Sequence, residues 1–280
     1  MRDYIEKVIN KNYSAYENRN LLREYLQKFI LFIIYRKKIF REIVFTGGTC
    51  IRLIYGMSRF SEDLDYSLSY NTKNFDFLKM IKLIKVELEL SGYEMEIKSK
   101  ISGNVKSSFL KFKNLLYETE ISPNKEELLS VKLEVDTNPP EGGIEEQIFL
   151  NFENIFYVIS YDLNSLFTGK LHALLTRHYN KGRDYYDLLW YLTKYKDIEP
   201  NFLMLRNALK QTEEGNIDIN KDNWKDILLK KLRDKDYKTI RNDVINFLAN
   251  KEEAELINFD TFKTLLGGKR SKAEKGTVLF

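Results

Sequence analysis

A pair of glycines between a short apolar strand and a helix is the feature that most constrains this fold. Residues 42–46, EIVFT, are typical of a buried strand that ends at Gly47 and Gly48. A helix is predicted from Thr49 to about Tyr55. Glycines at such a turn let an anion approach the backbone, and the free N–H groups of the first helical turn point toward it. The turn is predicted to hold phosphate groups; an ordinary strand-to-helix turn is the alternative.

Two acidic residues follow on the next predicted strand, residues 64–68. Asp63 and Asp65 stand two residues apart, so their carboxylates share one face of a strand. Two adjacent anions repel each other, and burying them is costly unless a cation lies between them. A divalent metal ion would supply that cation. For this pair alone, a solvated edge strand is the alternative.

A glycine pair before a helix, followed by Asp-x-Asp, is the pattern by which enzymes of the nucleotidyltransferase fold hold a metal–triphosphate. A third carboxylate is then expected from a later strand. In residues 131–136, VKLEVD, the apolar side chains face one way, and Lys132, Glu134 and Asp136 face the other. Asp136 is predicted to be the third metal ligand; an ordinary amphipathic strand is the alternative.

A helical segment supplies candidate phosphate-binding cations. Lys170 and Arg177 lie seven residues apart on a helix predicted over residues 162–179, which places both on one side. Two cations in this arrangement can contact successive phosphates. Asp184 and Asp187 share a face of the next helix. Asp184 is predicted to brace Lys170 or Arg177 or to orient a nucleotide, with a surface ion-pair network as the alternative.

Three segments resemble the AbiEii/AbiGii toxin family of nucleotidyltransferases, and they occur in the family's order. They are GGTCIRLIYGMSRFSEDLDYSL, KLEVDTNPP and GKLHALLTRHYNKGRDYYDLLWYL, at residues 47–68, 132–140 and 169–192. Related enzymes often have serine at the position of Thr49, which keeps the hydroxyl. The resemblance implies a toxin of a type IV toxin–antitoxin or phage abortive-infection system, with an antitoxin that acts directly or by repression. It also implies transfer of a nucleotide from an NTP to tRNA or another acceptor.

The expected site follows from these motifs. Two Mg²⁺ (or Mn²⁺) ions would be held by carboxylates and would stabilise the attacking and leaving oxygens. Arg59 and Glu62 are expected to have structural duties. The predicted metal ligands are Asp63, Asp65 and Asp136, which are also catalytic together with Lys170 and Asp184. The predicted nucleotide-binding residues are Gly47, Gly48, Thr49, Lys170 and Arg177.

Two other functions remain open from the sequence. One is a small-molecule nucleotidyltransferase of the antibiotic-modifying type, and the other is a non-catalytic nucleotide- or RNA-binding module. The net charge of +4 does not by itself indicate a nucleic-acid partner. However, residues 97–114 contain five lysines and no acid, which predicts either an RNA-guiding surface or a solvated strand face.

The predicted fold class is α+β. Residues 1–160 are predicted to form a nucleotidyltransferase-fold catalytic domain around a small mixed sheet, and residues 161–280 a helical domain with a mobile tail from about residue 267.

A single cysteine, Cys50, excludes an internal disulfide bond. The sequence has no apolar run of transmembrane length and no signal-peptide core at its start, so a cytoplasmic protein without a membrane partner is expected. Further predicted elements are helices over 19–38, 71–91, 183–196, 200–211, 221–233 and 236–249, and strands over 93–98 and 105–112.

Overall fold

A computed structural model describes residues 8–212 and 217–267. Seven strands form one mixed sheet: β1 (Ile43–Thr46), β2 (Asp63–Leu68), β3 (Met95–Lys100), β4 (Val105–Phe112), β5 (Leu129–Asp136), β6 (Glu145–Asn151) and β7 (Ile155–Tyr161). Their order is β3–β4–β5–β2–β1–β7–β6. The pairs β2–β5 and β1–β7 are parallel, and the others are antiparallel. The predicted α+β class with a mixed sheet is confirmed.

Helices precede, interrupt and follow the sheet. The α-helices are α1 (Ala15–Arg36), α2 (Gly47–Tyr55), α3 (Phe77–Leu90), α4 (Leu115–Glu118), α5 (Leu163–Thr176), α6 (Gly182–Lys194), α7 (Phe202–Lys210), α8 (Trp224–Leu232), α9 (Tyr237–Val244) and α10 (Phe259–Leu266). Short 3₁₀ helices cover Ile39–Arg41, Ile245–Phe247 and Lys251–Leu256. Within the described residues, no helix combines the length and apolarity needed to cross a membrane.

Side chains alternate between the two faces of the sheet, and this alternation positions the site. On β5, the buried residues Leu129, Val131, Leu133 and Val135 alternate with half-buried polar ones. Helices α1 and α3 contact β5 and β4, respectively, and they cover the apolar face. The opposite face carries the acidic residues of β2 and β5. We call it the open face.

Helix α1 begins earlier than its apolar periodicity predicts. Apolar periodicity predicts a start near residue 19 with Asn18 or Asn20 as the cap, but the N-cap is Ser14, because Ser14 and Glu17 form a reciprocal capping box. Asn18 and Asn20 lie buried inside the helix. Helix α3 begins at Phe77 rather than residue 71, since the Asp76 side chain accepts from the Lys79 N–H.

The region after residue 137 departs most from the predicted elements. Strands β6 and β7 were not predicted, and β7 extends the sheet by pairing with β1. Helices follow from residue 163, close to the predicted boundary at 160, and the division into two domains stays a prediction. Helix α5 ends at Thr176, so Arg177 lies just beyond it in an extended conformation. After Gly267, the predicted mobile tail lies outside the described residues.

Candidate active site

The glycine turn lies directly against the first of the predicted acidic residues. Thr46 is paired with Asp65 across β1 and β2, so the turn that follows β1 reaches the start of β2. Helix α2 begins at Gly47 rather than at Thr49. Gly47 has φ +76°, and a Cβ added there would come within 2.1 Å of the Asp65 Oδ2 atom. Only glycine therefore fits between the turn and Asp65.

Thr49 has a different contact from the one predicted. Its hydroxyl donates a hydrogen bond to the main-chain carbonyl of Asp63, and the residue is fully buried. The hydroxyl therefore fixes the start of β2, and the role of Thr49 in nucleotide binding stays a prediction. Gly48 is also enclosed, because a Cβ there would lie 2.7 Å from the Arg59 Nη2 atom.

Replacing Gly47 with alanine is expected to displace Asp65 and to reduce the nucleotide transfer that the sequence predicts by at least about 10²-fold. The matched control is Gly92→Ala. Gly92 also has positive φ, at +89°, but a Cβ there would have no neighbour within 4 Å. Both variants carry the same kind of backbone strain, and only Gly47→Ala adds the clash. Transfer rates and thermal unfolding of the two proteins measure the difference; equal rates would show that the contact with Asp65 is unimportant.

Asp63 and Asp65 are half-buried neighbours at the start of β2. No basic side chain of residues 8–212 and 217–267 forms an ion pair with either carboxylate. Burial, followed by the charges of Asp63 and Glu134, raises the pKa of Asp65 to about 6. Two carboxylates in this setting attract a cation.

The third acidic residue beside this pair is Glu134, not Asp136. Register places Glu134 next to Asp65, whereas Asp136 is paired with Ser67, about 7 Å further along the strand. Asp136 accepts a hydrogen bond from the Asn138 N–H, and it is not among the charges that affect the pKa of Asp65. The structure therefore places Asp136 at the last position of β5, on the same face as Glu134 but further from Asp65. Glu134 is held by Lys132 at 2.7 Å.

The predicted helical cations lie in a network of alternating charge. The Lys170 Nζ atom lies 2.6 Å from Asp187 and 3.5 Å from Asp184, and Arg177 is paired with Asp184. Arg59 binds Asp187 through two hydrogen bonds, of 2.5 and 2.7 Å. Burial opposes the charge on Asp187, but Arg59 and Lys170 outweigh it and lower the pKa of Asp187 to about 2. Asp184 thus contacts both Lys170 and Arg177.

The loop between α2 and β2 is attached to the helices that follow the sheet. Besides the pair of Arg59 with Asp187, Ser58 shares a 2.6 Å hydrogen bond with Tyr186, and the Phe60 N–H donates to Phe247 at 2.8 Å. The side chain of Arg59 is 2% exposed and that of Asp187 is not exposed. The structural duty expected of Arg59 is confirmed: it joins the loop before Asp63 to α6.

Lys181 was missed by sequence reasoning. It is half-buried at the N-terminus of α6, and within the described residues it has no acidic partner at ion-pair distance. Burial lowers the pKa of Lys181, and the nearby charge of Arg183 lowers it further. Its charge in turn lowers the pKa of Asp65, so the two charges are close enough to interact. We call the region between the start of β2 and the start of α6 the cleft. No sequence pattern marks the lysine before Gly-Arg-Asp, because the tertiary structure determines whether a lysine has an acidic partner.

The lysines of residues 97–114 do not share one surface. Lys98, Lys100 and Lys111 point to the open face, whereas Lys106 is paired with Val135 and points to the opposite face. Lys113 is paired with Glu96 at 2.8 Å. Alternation along the strands therefore divides the lysines between two faces, and strand register identifies which of them lie on the open face.

A strand–Gly–Gly–helix turn against Asp-x-Asp in a mixed sheet defines the nucleotidyltransferase class. The family model of the nucleotidyl transferase AbiEii toxin of type IV toxin–antitoxin systems matches residues 30–266. The chain belongs to this family, which confirms the predicted resemblance.

A solved structure shows the same fold at low sequence identity. The chain is similar to JHP933 from Helicobacter pylori, with 19% identity, a TM-score of 0.52 and coverage of 89% of this chain and 92% of that one. It is also similar to a candidate nucleotidyltransferase from H. pylori, with 18% identity, a TM-score of 0.49 and coverage of 88% and 94%. A search of curated proteins finds no match to this chain.

Proposed function

We propose that this protein transfers a nucleotide from an NTP to a hydroxyl group of an acceptor. The observation that carries the proposal is the Asp63–Asp65 pair, which has no ion-pair partner among the described residues and lies against the turn at Gly47. In the reaction, the acceptor oxygen forms a bond to the α-phosphorus, and the proton of its hydroxyl group passes to solvent. The bond between the α-phosphorus and the bridging oxygen breaks, and pyrophosphate leaves.

The carboxylates fit Mg²⁺ or Mn²⁺. Within the described part of the chain, no group of three or more His, Cys, Asp or Glu side chains is arranged as a cage that could hold a metal ion. Mg²⁺ does not need such a cage, because it is commonly bound by one or two carboxylates together with substrate phosphates and water. Asp63 and Asp65 would hold it, with Glu134 as the third carboxylate in place of Asp136. When bound, the metal would neutralise charge on the reacting phosphate and lower the pKa of the acceptor hydroxyl.

The helical residues would act on the phosphates that leave. Lys170 is 15% exposed in its side chain and its charge lowers the pKa of Asp65, so it lies at the edge of the same cleft. Asp184 and Asp187 would hold Lys170 in place and act as positioning residues. Lys170 and Arg177 would then stabilise the charge that develops on pyrophosphate.

Replacing Lys181 with glutamine is expected to raise KM for the NTP by about 10- to 100-fold, because an unpaired cation in the cleft is free to bind phosphate. The thermal unfolding temperature should not fall, since the substitution removes a half-buried charge near other cations. The matched control is Lys196→Gln, the same change at an exposed position. A lower unfolding temperature with an unchanged KM would assign Lys181 a structural role.

The acceptor we propose is tRNA, and the setting is a type IV toxin–antitoxin pair with a role in phage defence. The test is incubation of the purified protein with each labelled NTP, with total RNA or without it, and with Mg²⁺ or EDTA. We expect Mg²⁺-dependent label on RNA in the tRNA size range. Label on a small molecule would favour an antibiotic-type enzyme, and NTP binding without transfer would favour a non-catalytic module.

Expression in a bacterial host tests the toxin role. The wild type is expected to arrest growth, and co-expression of the cognate antitoxin is expected to restore it. Asp65→Ala, produced at an equal level, should not arrest growth. Equal toxicity of Asp65→Ala would contradict nucleotide transfer as the cause of arrest.

A further inference from the structure

Strand register creates a row of four side chains across the open face. Asp63 is paired with Lys132, Lys132 with Phe109, and Phe109 with Lys98. Direct cross-strand partners point to the same face of a sheet, so this row begins at the acidic pair and leads away from it. Neighbouring strands are about 4.8 Å apart, and the row is therefore about 14 Å long.

The middle of this row is an exposed aromatic ring. Phe109 is 39% exposed, although it lies in the interior of β4 between two paired strands. The Lys132 Nζ atom lies 5.6 Å from the centre of the ring. An aromatic ring beside a cation on an open sheet is able to stack a nucleobase while the cation binds the backbone.

Positive charge surrounds the ring at the outer end of the row. Lys98 and Lys100 lie on the edge strand β3, and Lys111 lies two residues after Phe109 on β4. The nearby acids Glu96 and Glu134 are already paired with Lys113 and Lys132. Among the described residues, Lys98, Lys100 and Lys111 have no acidic partner at ion-pair distance.

We infer that the open face at Lys98, Lys100, Phe109, Lys111 and Lys132 binds the single-stranded end of a nucleic-acid acceptor and directs its terminal hydroxyl toward Asp63 and Asp65. The inference rests on the proposed function, because the acceptor end has to reach the acidic pair. Unpaired bases offer free π-faces to Phe109, whereas the bases of a duplex are stacked on each other. The lysines are opposite in charge to the phosphates, and their contacts do not depend on the base sequence.

Binding of a 5′-fluorescein-labelled, unstructured 12-nucleotide RNA to the full chain tests this inference without NTP or metal. Phe109→Ala is expected to weaken binding by about 5- to 100-fold, and Phe109→Tyr to retain it, since tyrosine also stacks. In Lys98→Gln/Lys100→Gln, the slope of log K against log salt concentration should become shallower by about 1.4, because two phosphate contacts are lost.

The matched control is Lys79→Gln/Lys82→Gln on α3, which removes the same charge from exposed positions behind the sheet. This control should bind RNA like the wild type. Unchanged affinity in Phe109→Ala, an unchanged salt slope in the β3 double variant, or a wild type that transfers nucleotide yet binds no single strand would overturn the inference. Displacement of the RNA by polyglutamate, with no effect of Phe109→Ala, would also overturn it in favour of an acidic protein partner.

The two proposals fail in different ways. A wild type that binds RNA through Phe109 but transfers no nucleotide supports the surface and contradicts the proposed enzyme. Asp65→Asn provides the internal check, because it should retain RNA binding while losing transfer.

Discussion

Asp65→Asn is expected to reduce nucleotide transfer by at least about 10²-fold and to leave the fold intact. The substitution keeps the size of the side chain and removes the charge that would hold the metal. Initial rates with saturating NTP and Mg²⁺ measure the loss. Asp63→Asn should behave in the same way, since both carboxylates lie on one face at the start of β2.

The same variant is expected to be more stable than the wild type in EDTA. The pKa of Asp65 is raised to about 6, so the native state binds its proton more tightly than the unfolded state. The wild type therefore loses stability as the pH rises from about 4 to 6, and the loss is complete above pH 6. The asparagine side chain does not titrate, so Asp65→Asn does not lose stability over this range. At pH 7 its free energy of unfolding should exceed that of the wild type by about 2–3 kcal/mol. Thermal unfolding in EDTA at pH 4 and pH 7 measures it.

Asp136→Asn is the matched control for the activity measurement. It is the same substitution on the open face, two register positions from Asp65. We expect near-normal transfer from Asp136→Asn and a large loss from Glu134→Gln. The reverse result would return Asp136 to the site and exclude Glu134 as the third carboxylate.

Asp187→Asn is expected to destabilise the protein by about 3–5 kcal/mol and to lower Tm by roughly 10 °C. Asp187 is the shared partner of Arg59 and Lys170, and its removal leaves the Arg59 guanidinium buried without a counter-ion. Urea unfolding at pH 7 measures the effect. Asp184→Asn on the same helix serves as the control and should cost less, because the side chain of its partner Arg177 is 33% exposed.

The contribution of Asp187 should depend on pH. Because its pKa is lowered to about 2, the stabilisation is present in full above the unfolded-state pKa, near 4, and disappears as the pH falls toward 2. The difference in stability between the wild type and Asp187→Asn should therefore shrink from pH 4 to pH 2. A difference that stays constant over this range would show that the carboxylate charge is not its source.

The sequence predicts the features of this fold that depend on neighbouring residues. The glycine turn, the shared face of Asp63 and Asp65, and the alternation of β5 all follow from local spacing and chain geometry. The helices that carry Lys170 and Asp184 follow from apolar periodicity in the same way. Each of these features is defined within a few residues of the chain.

Features that depend on strand register could not be predicted. Glu134 and Asp136 share one face, and only the pairing of β5 with β2 decides which of them lies beside Asp65. Lys106 and Lys111 are five residues apart and therefore lie on opposite faces of β4, and only the pairing of β4 with β5 decides which of them lies on the open face. Strand β7 is a short apolar run, IFYVISY, which periodicity alone does not separate from a buried helix segment.

The attachment of the α2–β2 loop to the helices restricts how the cleft is able to move. A hinge motion that opened the cleft would separate Arg59 from Asp187 and break the hydrogen bonds of Ser58 and Phe60. A cost of about 3–5 kcal/mol for the ion pair alone would keep the population of such an open state below about one molecule in a hundred. Substrate entry and pyrophosphate release would then proceed through motions of side chains and surface loops on a rigid frame. Turnover in this enzyme would be limited by local fluctuations rather than by domain opening.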